Sequence, residues 1–438
     1  MFIQLLPNEV SSKPMRNILG MNNIPRTINR DALKRDVPRF EALQLKHVRF
    51  HDAPLENPSQ RLVDISAIFP LFHLDETKEE NYFFAQTDDY LRTLEHSSAE
   101  IDFRLGETID HSDFFRLVRV PKDIDKWARI CRRIVGHYKN GEMNGMHLNI
   151  KRISVWEEPD NSELLNGGTI EKYAEMFCKV YRVIKKDFPD IMVGGPASIA
   201  SRYTFLDRFL TLCEAQGITP DFVSGTYYVR SLELLRDRLD ANLAVMQKHG
   251  MTDTKYVLTE WHYGPRDWSR VSYLKEHGFL EPDSAAFAVA ALIELMDIDE
   301  VHAAYYYSWA TNSWGLHNNF EGSNPLLPVY YGLFFFQQLA AQCEERIAVA
   351  INSAKDTTRV LAGKTLDKKT LLLIACHNCS FVNIQVDCMG KTQAKLKRIT
   401  GDYREELCTV GENILPKDDM FVIEHTGGSG VYLLEFDL

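Results

Sequence analysis

Eight short apolar runs alternate with helix-period stretches between residues 15 and 340, and that alternation predicts an α/β fold, a (β/α)8 TIM barrel. From 341 to 438 the texture changes to short β-rich segments separated by turn residues, which predicts a small C-terminal all-β sandwich domain. A third observation removes the main rival, an open nucleotide-binding sheet. No GxGxxG follows the first apolar run, and no GxxxxGK followed by Ser or Thr occurs anywhere in the 438 residues.

Taken in order, the opening residues 2–6, FIQLL, read as a strand outside the barrel count, so residues 1–14 are available to extend the sandwich. The barrel strands are expected at 17–21, 47–52, 100–107, 153–159, 191–197, 222–228, 255–261 and 303–309. They are apolar nearly throughout, as parallel strands buried on both faces must be. Helices are expected at 123–138, 170–187, 231–249 and 283–296, with start signals at Pro121 to Asp123, at Thr169 and at Pro282. The sandwich strands are expected at 346–351, 370–375, 382–386, 420–423 and 431–436.

The charge balance is 50 basic against 61 acidic side chains, a net −11, which excludes a sequence-independent nucleic-acid partner needing a basic stripe. No window approaches 18 consecutive apolar residues, so no membrane partner is expected either. The opening MFIQLLPNEV lacks a basic leader and a small-residue cleavage site, which predicts a cytoplasmic protein. Eight scattered cysteines fit free thiols. Cys376 and Cys379 have the spacing of two metal ligands, with Cys388 nearby, but no second half-site accompanies them. LLLIACHNC reads instead as a buried strand, and no metal is expected.

In a barrel, chemistry gathers at the C-terminal ends of the strands. Strand four ends ISVWEEPDN, with Glu157 and Glu158, and strand seven ends YVLTEWHYG, with Glu260. These strands face each other across the mouth. Retaining glycoside hydrolysis needs two carboxyls about 5–5.5 Å apart, one protonated and one ionised. Acidic residues also end strands as helix caps, so the pair alone is weak. Pro159 stops the strand and fixes the place of Glu158. Trp156, Trp261, Trp309 and Trp314, at strand ends or just beyond, offer faces for sugars, against the plainer reading of each as core.

WEEP on strand four and TEW on strand seven resemble the WNEP and TEW elements of the clan of retaining (β/α)8 glycosidases. RFHD at 49–52, PKDIDKWARICRRIVGHY at 121–138, VGGPA at 193–197 and DFVSGTYY at 221–228 resemble glycoside hydrolase family 39 more closely. That is the β-xylosidase and α-L-iduronidase family, and the resemblance runs from about residue 17 to 340 and into the trailing sandwich. It implies that Glu158 is the general acid/base and Glu260 the nucleophile, and that Tyr228 donates its hydroxyl to Glu260. It also implies that Arg49 and His51 lie near the glycone and that Trp309 floors its subsite; Trp261 is expected to contact substrate as well.

Three departures stand out. Glu157 replaces the asparagine that in the clan binds the sugar 2-hydroxyl; a carboxylate there accepts hydrogen bonds without donating. A third negative charge should also raise neighbouring carboxyl pKa values and keep Glu158 protonated to higher pH. Thr226 stands in place of a strand-six histidine. The loop ATNSWGLHNNFEGSNP lacks a longer acidic segment, and Leu164 and Leu165 stand near the place of the FW that follows WNEP. The expected activity is retaining exo-hydrolysis of a small pentose glycoside or oligosaccharide, a β-xyloside or an α-L-arabinoside, with no cofactor. A catalytically weakened carbohydrate-binding barrel is the alternative, supported by Glu157. A metal-dependent hydrolase built on His51, Asp52 and Glu107 is a third reading, without a tight enough constellation. Homo-oligomerisation is left open.

Overall fold

The computed structural model describes residues 1–25, 30–52, 61–95, 97–108, 120–161, 168–265, 278–309, 314–317, 325–352, 357–387 and 390–436. Eight parallel strands close into a barrel: β2 (Leu19–Asn22), β3 (His47–Phe50), β4 (Glu100–Leu105), β5 (Ile150–Val155), β6 (Met192–Ile199), β7 (Phe222–Val229), β8 (Lys255–Tyr263) and β9 (Val301–Tyr306). Each pairs with the next, and β9 pairs back with β2. Helices among and beyond them are α1 (Arg30–Ala42), α2 (Ile65–Ile68), α3 (Ala85–Leu91), α4 (Ile124–Asn140), α5 (Ile170–Asp187), α6 (Tyr203–Glu214), α7 (Leu232–Lys248), α8 (Pro282–Leu295) and α9 (Pro328–Gln342).

The start signals act as their chemistry requires. The side chains of Asp123, Thr169 and Ser231 accept from the backbone N–H of Lys126, Lys172 and Leu234 at 2.9, 3.3 and 3.1 Å, capping α4, α5 and α7. Two barrel-strand ends differ from expectation by three residues or more. β5 begins at Ile150 and stops at Val155, not 159, because the next residues leave extended backbone: Trp156 has φ 69° and Glu158 has φ 37°. β9 ends at Tyr306, not 309.

The second sheet runs β15-β14-β17-β12-β11-β10-β1-β13-β16 and is mostly antiparallel, with β1 at Phe2–Val10, β10 at Cys343–Asn352, β11 at Thr358–Thr365, β12 at Thr370–Cys379, β13 at Ile384–Asp387, β14 at Ala394–Ile399, β15 at Glu412–Ile414, β16 at Met420–Ile423 and β17 at Gly428–Phe436. β10 serves both layers of the sandwich: Cys343 to Arg346 pair with β11, and Ile347 to Asn352 pair with β1. β1 in turn lies antiparallel to β10 and parallel to β13, burying Ile3 and Leu5. Cys376 and Cys379 are buried on β12, where the Thr358 hydroxyl lies 3.1 Å from Cys379 Sγ; Cys388 lies outside the described residues.

α8 joins the two parts. Its sequence PDSAAFAVAALIEL is apolar on nearly every face, as a helix enclosed on all sides must be. It packs against α9 and against β11, β12 and β17. One continuous core contains barrel residues such as Leu258 together with Leu373 and Leu433 of the sandwich. Among the described residues no helix is long and apolar enough to cross a membrane.

Candidate active site

The C-terminal ends of the barrel strands surround a cavity of about 460 Å³. β3 delivers His51 and Asp52, the chain after β5 delivers Glu157 and Glu158, β7 delivers Thr226 and Tyr228, and β8 delivers Glu260. Strand alternation accounts for the last three, since residues two apart point to one face. Glu158 is placed differently: it sits at positive φ directly before Pro159, with its N–H donating to the Ala197 carbonyl at 3.2 Å. Backbone held in a rare conformation by surrounding contacts is a frequent property of functional sites.

Glu260 is fully enclosed and surrounded by donors. The Tyr228 hydroxyl donates to Oε2 at 2.6 Å, His51 Nε2 lies 2.8 Å from Oε1, and Arg49 Nη1 lies 3.8 Å away. Burial alone would push this carboxyl up, but His51, Arg49 and the Tyr228 hydrogen bond outweigh it, so its pKa falls below the usual value. Glu158 goes the other way. Burial first, then the charges of Glu260 and Glu157, push it up to about 8 against a single lowering hydrogen bond from Thr226. Thr226 Oγ1 lies 2.7 Å from Glu158 Oε1, and Asn161 Nδ2 lies 3.4 Å from Oε2. The threonine in the strand-six position therefore holds the carboxyl group across from Glu260.

Glu157 is buried and ion-paired to Arg49 through Oε2. Burial pushes it up to about 7, with Arg49 pulling down and Glu260 pushing up. Arg49, itself fully buried, also donates to Asn22 Oδ1 at 3.1 Å and to the Thr259 carbonyl at 3.3 Å. Burial disfavours a charge on His51, yet Glu260, Asp52 and Glu157 outweigh it and raise its pKa. Asp52 is fixed from two sides, by Asn23 Nδ2 at 2.9 Å and by the Tyr307 hydroxyl at 2.6 Å.

The aromatic expectations need correcting. Trp156, Trp261 and Trp309 are no more than 1% exposed and do not line the cavity, whereas Trp314 does. Because Glu260 points inward, its neighbour Trp261 points to the helical layer, edge-on to Tyr306 with ring centroids 5.0 Å apart. Trp309 lies beyond the end of β9, packed edge-on against Phe40 at 5.1 Å and His317 at 4.7 Å. The strand-eight aromatic in the cavity is Tyr307, for which the tyrosine run 305–307 at a strand end was the available signal. Arg238, on α7, also lines the cavity; strand-end reasoning has no access to it. Leu164, Leu165 and, in the loop after β9, residues 310–313 and 318–324 lie outside the described residues.

Among the described residues two clusters have the donor types of a metal site. In His51, Glu157 and Glu260 the Arg49 guanidinium already occupies the carboxylates, so a cation would meet a buried positive charge. In His47, Glu100 and His302, at the other end of the barrel, Arg152 donates to all three at 3.0, 3.1 and 2.9 Å and takes the central place. Glu107 accepts from Ser66 N at 2.9 Å and does not line the cavity.

Residues 41–321, more than half of the chain, match the family described as Glycosyl hydrolases family 39. The chain belongs to this family. A β-xylosidase of Caldicellulosiruptor saccharolyticus is 22% identical to this family 39 chain over 281 residues, 59% of the chain and 54% of that relative. The match thus spans about half the relative's length. A solved glucosidase from Croceicoccus marinus superposes with a TM-score of 0.75 at 20% identity, over 100% of this chain and 99% of that one. A β-xylosidase from Caulobacter crescentus CB15 gives 0.71 at 16%, over 100% and 99%. These superpositions establish the shared barrel-and-sandwich fold.

Proposed function

We propose that this family 39 protein is a retaining exo-glycosidase of small pentose glycosides, β-xylosides or α-L-arabinosides, with Glu158 as acid/base and Glu260 as nucleophile. The observation that carries the reading is the opposite displacement of two carboxyls in one cavity, Glu158 upward to about 8 and Glu260 downward. That division supplies a proton donor and an ionised nucleophile at the same pH. In the first step the Glu158 proton passes to the glycosidic oxygen while Glu260 attacks the anomeric carbon, releasing the aglycone as an alcohol. In the second, ionised Glu158 takes a proton from water, whose oxygen attacks the same carbon and frees Glu260.

Tyr228, His51 and Arg49 keep Glu260 ionised and pointed. A cavity of about 460 Å³ suits a small glycoside rather than a long polymer. The pentose assignment rests on the family and on the β-xylosidase relative; the glucosidase superposition is the reason to include hexosides in the test. A binder without turnover has no use for two carboxyls divided in this way.

The test is turnover of aryl β-D-xyloside, α-L-arabinopyranoside, α-L-arabinofuranoside, β-D-glucoside and β-D-galactoside, with Glu260→Ala alongside. Hydrolysis of a pentoside is expected, reduced about 10⁴-fold or more in the variant. Azide should restore turnover with a product of inverted anomeric configuration. Activity that survives the substitution, or none on any substrate, would overturn the reading.

A further inference from the structure

The walls of the cavity differ in charge. His51 and Asp52 stand at the end of β3, four strands round the closed eight-stranded barrel from β7. The cations on that side, Arg49 and His51, are already engaged with Glu157 and Glu260. The opposite wall holds Ile199, Ser201, Asn161 and Arg238, the last carried by α7, the helix that follows β7. Arg238 is anchored one helical turn further on. Asn242, buried four residues along α7, donates through Nδ2 to the Arg238 carbonyl at 2.8 Å and to the Ala200 carbonyl at 3.0 Å. The Ala200 N–H donates to the Thr226 carbonyl at 3.1 Å, and Thr226 in turn holds Glu158. This chain of contacts ties Arg238 to the Glu158 side of the cavity.

The half-buried Arg238 guanidinium has no ion-pair or hydrogen-bond partner among the described residues. Nearby acids are engaged elsewhere: Asp240 with Arg236 at 2.8 Å, and Asp160 with the Ile199 N–H at 3.1 Å and Arg202 at 3.7 Å. A guanidinium stays charged at every working pH and presents a planar fork of donors that matches a carboxylate. Ser201 and Asn161 already serve the neutral hydroxyls of any sugar, so a cation beside them adds recognition of an anion. With Glu158 as the acid, the leaving group lies on the Glu158 side of the scissile bond, and Arg238 faces the aglycone. A glycone bearing a negative charge meets Asp52, Glu157 and Glu260 instead.

We propose, on the reading that Glu158 is the acid/base, that Arg238 makes the site select glycosides whose aglycone carries a carboxylate. The substrate class is a neutral glycone joined to an acidic leaving group, whether an acidic sugar or an acidic phenol. The carboxylate accepts charge-assisted hydrogen bonds from the Arg238 guanidinium at the rim. While Glu158 holds its proton it adds no negative charge to that wall, so the incoming anion is not repelled there.

The experiment takes the glycone cleaved fastest in the panel above, joined to 3-carboxy-4-nitrophenol and to its neutral carboxamide. A second pair joins the same glycone to a hexuronic acid and to the hexuronamide, which tells an acidic sugar from an acidic phenol. kcat/KM is measured on the full chain, on Arg238→Gln and on Arg238→Lys, with thermal unfolding of each. In Arg238→Gln the acid-to-amide ratio should fall about fivefold or more in at least one pair, mostly through KM. Arg238→Lys should recover part of the loss, and high salt should lower the native ratio. Comparing ratios between variants cancels the difference in leaving-group acidity. Unchanged ratios in both pairs, with activity still lost in Glu260→Ala, remove the role of Arg238 and leave the glycosidase reading intact. Activity that survives Glu260→Ala, or none on the panel, removes both. If Arg238→Gln does not fold, the native chain decides: acid-to-amide ratios that salt leaves unmoved overturn the proposal.

Discussion

Glu158 and Glu260 have the same side chain and share one cavity, so their different states come from what their oxygens touch. Tyr228, His51 and Arg49 converge on Glu260, while Glu158 meets Thr226 and Asn161 and feels two neighbouring negative charges. Activity on this reading needs Glu260 ionised and Glu158 protonated. It is lost as pH falls through the lowered pKa of Glu260, below 4.5, and as pH rises through that of Glu158, about 8. A bell in kcat/KM with those limbs is expected. Tyr228→Phe removes a hydrogen bond to a charged group, worth about 1.5–3 kcal/mol, which is roughly 1–2 pKa units. The acid limb should move up by about that much while the alkaline limb stays; a fall in rate with both limbs fixed would leave Tyr228 with packing alone. That Glu158, Glu260 and Tyr228 meet in one cavity was legible because the motifs name them in order. Trp261 and Trp309 misled because an aromatic at a strand end carries no mark of which face it takes.

Two helix starts were readable because capping is local: Asp123 and Thr169 each satisfy a backbone N–H three residues on. The end of β5 was not, because it is set by a left-handed turn at Trp156 and Glu158 that contacts from β6 help to hold. β1 lies between these cases. Its apolar run marks a strand, but its partners are more than 330 residues away on β10 and β13. Its alternation puts Ile3, 0% exposed, and Leu5, 3% exposed, into the sandwich core. Ile3→Ala should destabilise the protein by about 2–4 kcal/mol in urea unfolding. An effect under about 0.5 kcal/mol would mean that β1 adds little to the fold.

Barrel and sandwich share α8 and a continuous core, reinforced where Arg359 Nη2 meets Glu294 Oε2 at 2.7 Å. The count of eight strands gave the barrel from sequence, but the joint was visible only as a helix too apolar for any surface. One core predicts one cooperative thermal transition in calorimetry, so a strained side chain in the cavity acts on the stability of the whole chain. Glu158 supplies such a case. Unfolded, it gives up its proton near its ordinary 4.5; folded, it holds it to about 8. The folded state therefore binds more protons across that window, and stability falls as pH rises through it, reaching its full penalty above about 8. Glu158→Gln has no charge to bury. It should raise Tm by about 2 °C or more at pH 8, leave it nearly unchanged at pH 4, and cost the acid/base its proton transfer. An equal Tm shift at both pH values would assign the gain to packing, and no shift at pH 8 would mean that the buried carboxyl ionises there without strain.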